Sequence, residues 1–140
     1  MSQDLPAEGL GEAVGAVARR LRAASMAAFA AYDVTPSQVR AIRVLAAQAG
    51  GVRSKDLAEH LRIAPRSATE VVDALEAKGL VSRSPDPGDR RAVLVALTER
   101  GRQLSEEVRR ARGVESERLF ERLTQTDRAE LARILGKLQD

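Results

Sequence analysis

The sequence predicts a mainly α-helical chain carrying one small β-hairpin. Three observations lead there. Apolar residues recur at helical spacing through most of the 140 residues. Two short amphipathic helices lie close together in the middle of the chain, joined by a turn of about four residues. Directly after them, "LVSRSPDPGDRRAVLVAL" from Leu80 to Leu97 sets two β-prone runs around a Pro-Gly turn.

Taken in order, the first helix is expected from about Leu10 to Ala31, with Leu10, Val14, Val17, Leu21 and Ala28 on one face. Thr35-Pro36-Ser37-Gln38 is a capping box with proline at the first helical position, so a second helix starts there. Its inner stripe is Val39, Ile42, Leu45 and Ala46, and Gly50-Gly51 is expected to end it. Ser54 is the expected cap of a short third helix burying Leu57, Ala58 and Leu61. Ala64-Pro65 opens a fourth, with Ala68, Val71, Val72 and Leu75 inward and Gly79 as its stop. The hairpin follows, its Asp86-Pro87-Gly88-Asp89 tip fitting a type II turn with glycine at the position that needs positive φ. A hairpin directly after a helix-turn-helix is a winged helix. Thr98 caps a long helix running to about Leu123, and Thr124 with Asp127 repeats the capping logic for a last helix.

Composition narrows the function. A 140-residue chain supports one domain rather than two. Net charge is only +3, with arginine outnumbering lysine twenty to three, so charge alone does little to favour a nucleic-acid partner. Phe29, Tyr32 and Phe120 are the only aromatics, which offers no platform for stacking single-stranded bases. Without cysteine there is no disulfide, thiolate zinc site or thiol sensor, and a single histidine, His60, leaves little for a metal site or a catalytic triad. No cofactor is expected. No phosphate-binding glycine loop and no apolar run of the roughly 20 residues a membrane span needs occur in the sequence, and its opening residues are not expected to act as a signal peptide. Such a chain is expected to work in the cytoplasm.

"VTPSQVRAIRVLA", "SKDLAEHLRIAPRSATEVVDALEAKGLVSRSPDPGDRRAVLVALTERG" and the flanking helices resemble the MarR family of bacterial transcription regulators. The most specific pieces are "KGLVSRSPDPGDRR" and "LTERG". This resemblance implies a single domain, 1–140, in which 33–100 form a DNA-binding lobe while 8–32 and 101–140 supply dimerisation helices. It implies a homodimer on a pseudo-palindromic duplex, acting as a repressor and responding to a small aromatic or anionic ligand. Residues matching the family's ligand region are Met26, Phe29, Tyr32 and Arg43.

Side-chain chemistry agrees with DNA reading. With its inner stripe buried, the helix at about 64–78 turns Pro65, Arg66, Ser67, Thr69, Glu70 and Asp73 outward, as a helix in a major groove must. Ser67 and Thr69 suit phosphates or base edges, and Arg66 suits a phosphate or guanine. Glu70 would repel phosphates unless it accepts from a cytosine amino group or pairs with Arg66; the pairing is the simpler expectation. Ser54, at the preceding helix start, is a further expected contact. In the wing, 83–92, Arg83, Asp89, Arg90 and Arg91 are the candidates. Arg90 is expected in the minor groove, whose negative potential attracts arginine. Arg91, next along the strand, is expected to brace Asp89 or Asp86 or to hold a backbone phosphate. Leu10, Val14, Val17, Leu119, Leu123, Leu131, Ile134, Leu135 and Leu138 make apolar stripes too extensive for one small lobe to cover, and so are expected at the dimer interface. A winged helix used only for protein contacts is the alternative; it has no need for polar groups on the fourth helix or for wing arginines.

Overall fold

The computed structural model describes residues 4–139, so the two ends of the expected 1–140 domain, residues 1–3 and 140, lie outside the described residues. The elements run α1 (Ala7–Ala30), α2 (Pro36–Ala46), β1 (Val52–Arg53), α3 (Ser54–Leu61), α4 (Pro65–Ala77), β2 (Val81–Asp86), β3 (Asp89–Leu97), α5 (Glu99–Phe120) and α6 (Gln125–Leu138). They fall into two compact units, Ala27–Arg109 and a second made of the residues up to Met26 with those from Arg110 onward. No helix among the described residues is long and apolar enough to cross a membrane.

Local chemistry explains most boundaries in the first unit. Thr35 Oγ1 accepts the Gln38 N–H at 3.3 Å while Gln38 Oε1 accepts the Thr35 N–H at 3.2 Å, the expected capping box. Helix α4 ends where Gly79 takes φ +75°. The Leu80 N–H reaches back to the Leu75 carbonyl and the Gly79 N–H to that of Glu76, at 3.0 and 2.9 Å, which is the Schellman pattern. Helix α3 closes the same way, from Ile63 to Ala58 and from Arg62 to Glu59, but its left-handed residue is Arg62, at φ 54°. The turn of the helix-turn-helix therefore carries an arginine where glycine would be least strained.

Thr98 does more than cap α5. Its Oγ1 accepts the Gly101 N–H at 3.1 Å and donates to the Gly79 carbonyl at 2.6 Å, while its own N–H reaches the Leu80 carbonyl at 3.0 Å. This seats the start of α5 on the backbone leaving α4. A Cβ on Gly101 would overlap the Leu80 carbonyl oxygen, so glycine is required there by close approach.

The hairpin is joined by a third strand. Strand β1 pairs antiparallel with β3, giving the order β1-β3-β2. Two residues long, β1 leaves too little pattern to be seen in the sequence. Helix α2 stops at Ala46 rather than at Gly50-Gly51, so the chain can turn into β1, with Gly51 at φ 88°. The core of this unit gathers Ile42, Leu57, Leu75, Leu80 and Val95 with Phe29 and Leu104, all nearly inaccessible. It thus draws on α1 and α5, beyond the expected 33–100 lobe. Truncating any of its leucines to alanine costs about 2–5 kcal/mol.

The second unit is built differently. Helix α6 has its reciprocal cap, Thr124 with Asp127, yet buries none of its residues. Helix α5 ends at Phe120, three residues before the expected Leu123, and Arg128 donates to the Phe120 carbonyl from Nε and Nη2 at 3.2 and 2.9 Å. Leu10, Val14, Val17, Ile134, Leu135 and Leu138 are exposed, at 37–70% of their surface, while Leu119, Leu123 and Leu131 are half-buried. Between them lies an apolar groove of about 470 Å³, lined by Val14, Val17, Leu123, Leu131 and Leu135 among others.

Candidate nucleic-acid interface

Helix α4 presents the expected face. Ala68, Val72 and Leu75 are buried, Val71 is half-buried, and Pro65, Arg66, Ser67, Thr69, Glu70 and Asp73 are exposed. Ala64 at the N-cap supplies no side-chain cap and Pro65 follows it, so the first turn keeps backbone N–H groups for an outside acceptor. Thr69 donates its hydroxyl to the Pro65 carbonyl at 3.0 Å, which leaves its acceptor lone pairs outward. The expected Arg66–Glu70 pair does not form among the described residues, where the ion pairs lie elsewhere. With the arginine N-terminal to the acid, this is the weaker orientation for such a pair. Glu70 stands exposed.

Two further residues hold other places than expected. Ser54 is half-buried and already helical, and the cap position belongs to Arg53, without a side-chain bond. Its side chain therefore does not close the start of α3. Arg83 is committed to the protein's own carboxylates, with Nη2 2.5 Å from Asp73 and Nη1 3.0 Å from Glu76. Opposite charges across the α4–β2 contact hold it, so Arg83 ties the root of the wing to α4.

At the tip, Gly88 is not among the residues of positive φ, which excludes the expected type II turn. The turn is closed instead by Asp86, whose Oδ1 accepts the Gly88 N–H at 2.9 Å. Asp86 Oδ2 accepts from Arg53, with Nε and Nη2 each at 2.7 Å. The Gly88 N–H, and after it Arg53, hold the Asp86 carboxyl below its ordinary pKa against the opposing effect of desolvation. The brace expected of Arg91 is thus made by Arg53 from a different strand. The Asp89 carboxylate accepts the backbone N–H of Arg91, not its guanidinium.

The ladder breaks at the arginines. Pro85 pairs with Val93 and Asp86 with Asp89, so neighbours on β2 face residues four apart on β3. Arg90, Arg91 and Ala92 occupy the excess as a bulge. The alternation expected to send Arg90 and Arg91 to opposite sides is interrupted there. Both are exposed, and neither forms an ion pair among the described residues.

The residues matching the ligand region are varied in setting. Phe29, expected to line a pocket, is 1% exposed and belongs to the core. Tyr32 is half-buried and donates its hydroxyl to Glu107, a bond that with desolvation raises its pKa above 10.0. Met26 and Arg43 are exposed. Ser25, not anticipated from the sequence, is 2% exposed, and its hydroxyl has no partner among the described residues.

Known proteins share this fold. The sequence profile of the MarR family matches residues 34–93. The chain is 31% identical to the HTH-type transcriptional repressor Rv2887 of Mycobacterium tuberculosis over 138 residues, covering 99% of this chain and 96% of that one. It is 40% identical over 97 residues to an uncharacterized HTH-type transcriptional regulator of Mycobacterium bovis, Mb0904, a match covering 69% of this chain and 65% of the relative's length. Among solved structures it is similar to RV1404 of Mycobacterium tuberculosis, with TM-score 0.86 and 29% identity over 99% of this chain and 96% of that one. It is similar also to CouR of Rhodococcus jostii RHA1 bound to p-coumaroyl-CoA, with TM-score 0.70 and 26% identity over 97% and 95%.

Proposed function

The chain belongs to the MarR family of transcription regulators, and on that premise we propose that it is a homodimeric, cytoplasmic repressor that reads a pseudo-palindromic DNA duplex. Helix α4 enters the major groove and the wing the adjacent minor groove. The observation that carries the reading is the pairing of two outward, uncommitted surfaces: the uncapped start of α4 and the Arg90–Arg91 bulge. Both offer donors and positive charge with no partner of their own, which a solvated structural surface does not require. Arg66, Ser67 and Thr69 contact bases or phosphates, Arg90 occupies the minor groove, and Arg91, free of the brace, holds a backbone phosphate.

The dimer forms through the apolar residues of α1, α6 and the end of α5, which fill one another's grooves across a two-fold axis. Half-sites then lie about one helical turn apart. A small aromatic or anionic effector, of the kind CouR holds, binds near Tyr32 and Arg43. It releases DNA by favouring a dimer with its reading helices wrongly spaced.

Affinity measured against salt on one operator tests the DNA reading. Arg90→Ala is expected to weaken binding to most sequences and to flatten the log–log salt slope by about one unit per subunit. Binding like wild type at every salt concentration would remove the wing from the interface. Replacing Arg66 or Thr69 is expected to change the preferred bases, by about 1–3 kcal/mol per lost contact.

A further inference from the structure

The wing arginines sit in the least supported part of the hairpin. Between the Pro85–Val93 and Asp86–Asp89 pairs, Arg90, Arg91 and Ala92 have no ladder partner on β2. Their position therefore depends on how firmly the Asp86–Asp89 end is held. Asp86 uses both carboxylate oxygens for that: Oδ1 closes the turn through the Gly88 N–H, and Oδ2 takes two donors of Arg53. The Asp86 side chain is 13% exposed and that of Arg53 46%, so the anchor is sheltered at its carboxylate end and open to solvent at its guanidinium end.

Arg53 reaches Asp86 from the far side of the sheet. Its ladder partner on the central strand is Leu94, whose partner on β2 is Ser84. The guanidinium thus spans β3 and ends two residues beyond Ser84, at the base of the turn. Resting on the reading that Arg90 enters the minor groove, we propose that Arg53 is a positioning residue for DNA binding, a strut from β1 that, through Asp86, sets where the Arg90–Arg91 bulge lies. Arg53 sits immediately before α3, so the strut also fixes the wing tip to the start of the helix-turn-helix. Loss of the strut leaves the core intact and frees the tip, because none of the core residues takes part in it.

A double-mutant cycle separates positioning from direct contact. Wild type, Arg53→Ala, Arg90→Ala and the double variant are compared on one duplex selected by the wild-type protein from a random-sequence DNA pool, with thermal melts as the folding control. Arg53→Ala is expected to weaken binding about three- to tenfold when Arg90 is present and less than about twofold when it is absent, the pattern of coupled residues. Asp86→Asn keeps an acceptor for the Gly88 N–H but loses the charge, and it should match Arg53→Ala, with no added loss when the two are combined. Arg53→Lys should restore part of the affinity. An equal loss from Arg53→Ala in both backgrounds would show that Arg53 meets DNA itself and would overturn the proposal. So would wild-type binding by Arg53→Ala alongside a weakened Arg90→Ala. Failure of the minor-groove reading is seen separately, as wild-type binding by Arg90→Ala alone, and it takes the strut's role with it.

Discussion

The two compact units spend their apolar residues in opposite ways. In Ala27–Arg109, leucines and valines from seven elements close on one another and on Phe29 at the end of α1, leaving side chains such as Leu57, Leu75 and Val95 without exposed surface. In the other unit, α6 buries nothing, Leu138 is 70% exposed, and an apolar groove stays open beside Val14 and Leu135. The first unit is complete as a single chain. Apolar exposure on the scale of the second marks a surface selected to be covered. Stability and the proposed assembly thus rest on different residues, and substitutions can address them one at a time.

The harshest disturbance of the closed unit is Gly101→Ala. The added methyl meets the Leu80 carbonyl, a backbone group that cannot swing aside, so a loss of about 3 kcal/mol or more is expected, read as a collapsed melting temperature. A melt close to wild type would mean that the close approach of α5 to the α4 exit is not rigid.

Next in size is a charge placed in the open unit. Leu135→Arg should cost the dimer about 2 kcal/mol or more, since a buried unpaired charge is expensive at an interface. Sedimentation should then show monomer at concentrations where the wild type is dimeric, while the circular-dichroism signal remains helical. A wild-type dimer in this variant would place the two-fold contact elsewhere.

Smaller effects of opposite sign are expected at two helix ends that share one geometry. Gly79 and Arg62 are both left-handed, at φ 75° and 54°. Gly79→Ala should destabilise by about 1 kcal/mol through backbone strain. Arg62→Gly relieves that strain and should leave stability equal or raised by up to about 1 kcal/mol, although the freer unfolded chain offsets part of the gain. Denaturant melts of the pair decide it; a stability loss in Arg62→Gly would assign the Arg62 side chain a structural contact.

The gentlest probe is a titration. Tyr32 is the only tyrosine and there is no tryptophan, so the ultraviolet spectrum reports its ionisation directly. Its bond to Glu107 raises the pKa, so the midpoint should lie above 10.0, and Glu107→Gln should bring it down. Because the folded value is the raised one, the bond's contribution is present below the ordinary tyrosine pKa. It is lost as pH climbs through the folded value. An unshifted midpoint would break the Tyr32–Glu107 bond as a feature in solution.

Much of this architecture was legible in the sequence because its determinants are local. Capping boxes join residues three apart, as in Thr35–Gln38 and Thr124–Asp127, and an amphipathic stripe repeats every three or four. These yield the helix order, the outward face of α4 and the apolar stripes of α1 and α6 that the chain leaves exposed. The wing resisted such reading because its geometry depends on a register between distant strands. In the sequence Arg83 reads as a DNA contact, and only the fold sets it against Asp73 and Glu76; Phe29 reads as a pocket residue, and only the fold buries it in the core. Arg53 and Asp86 stand 33 positions apart, joined only because a two-residue strand adds to the edge of β3. No periodicity marks such a pair. Its free energy exists only after the sheet has formed, so tertiary structure alone decided which arginine braces the wing and which two are left without an ion pair among the described residues.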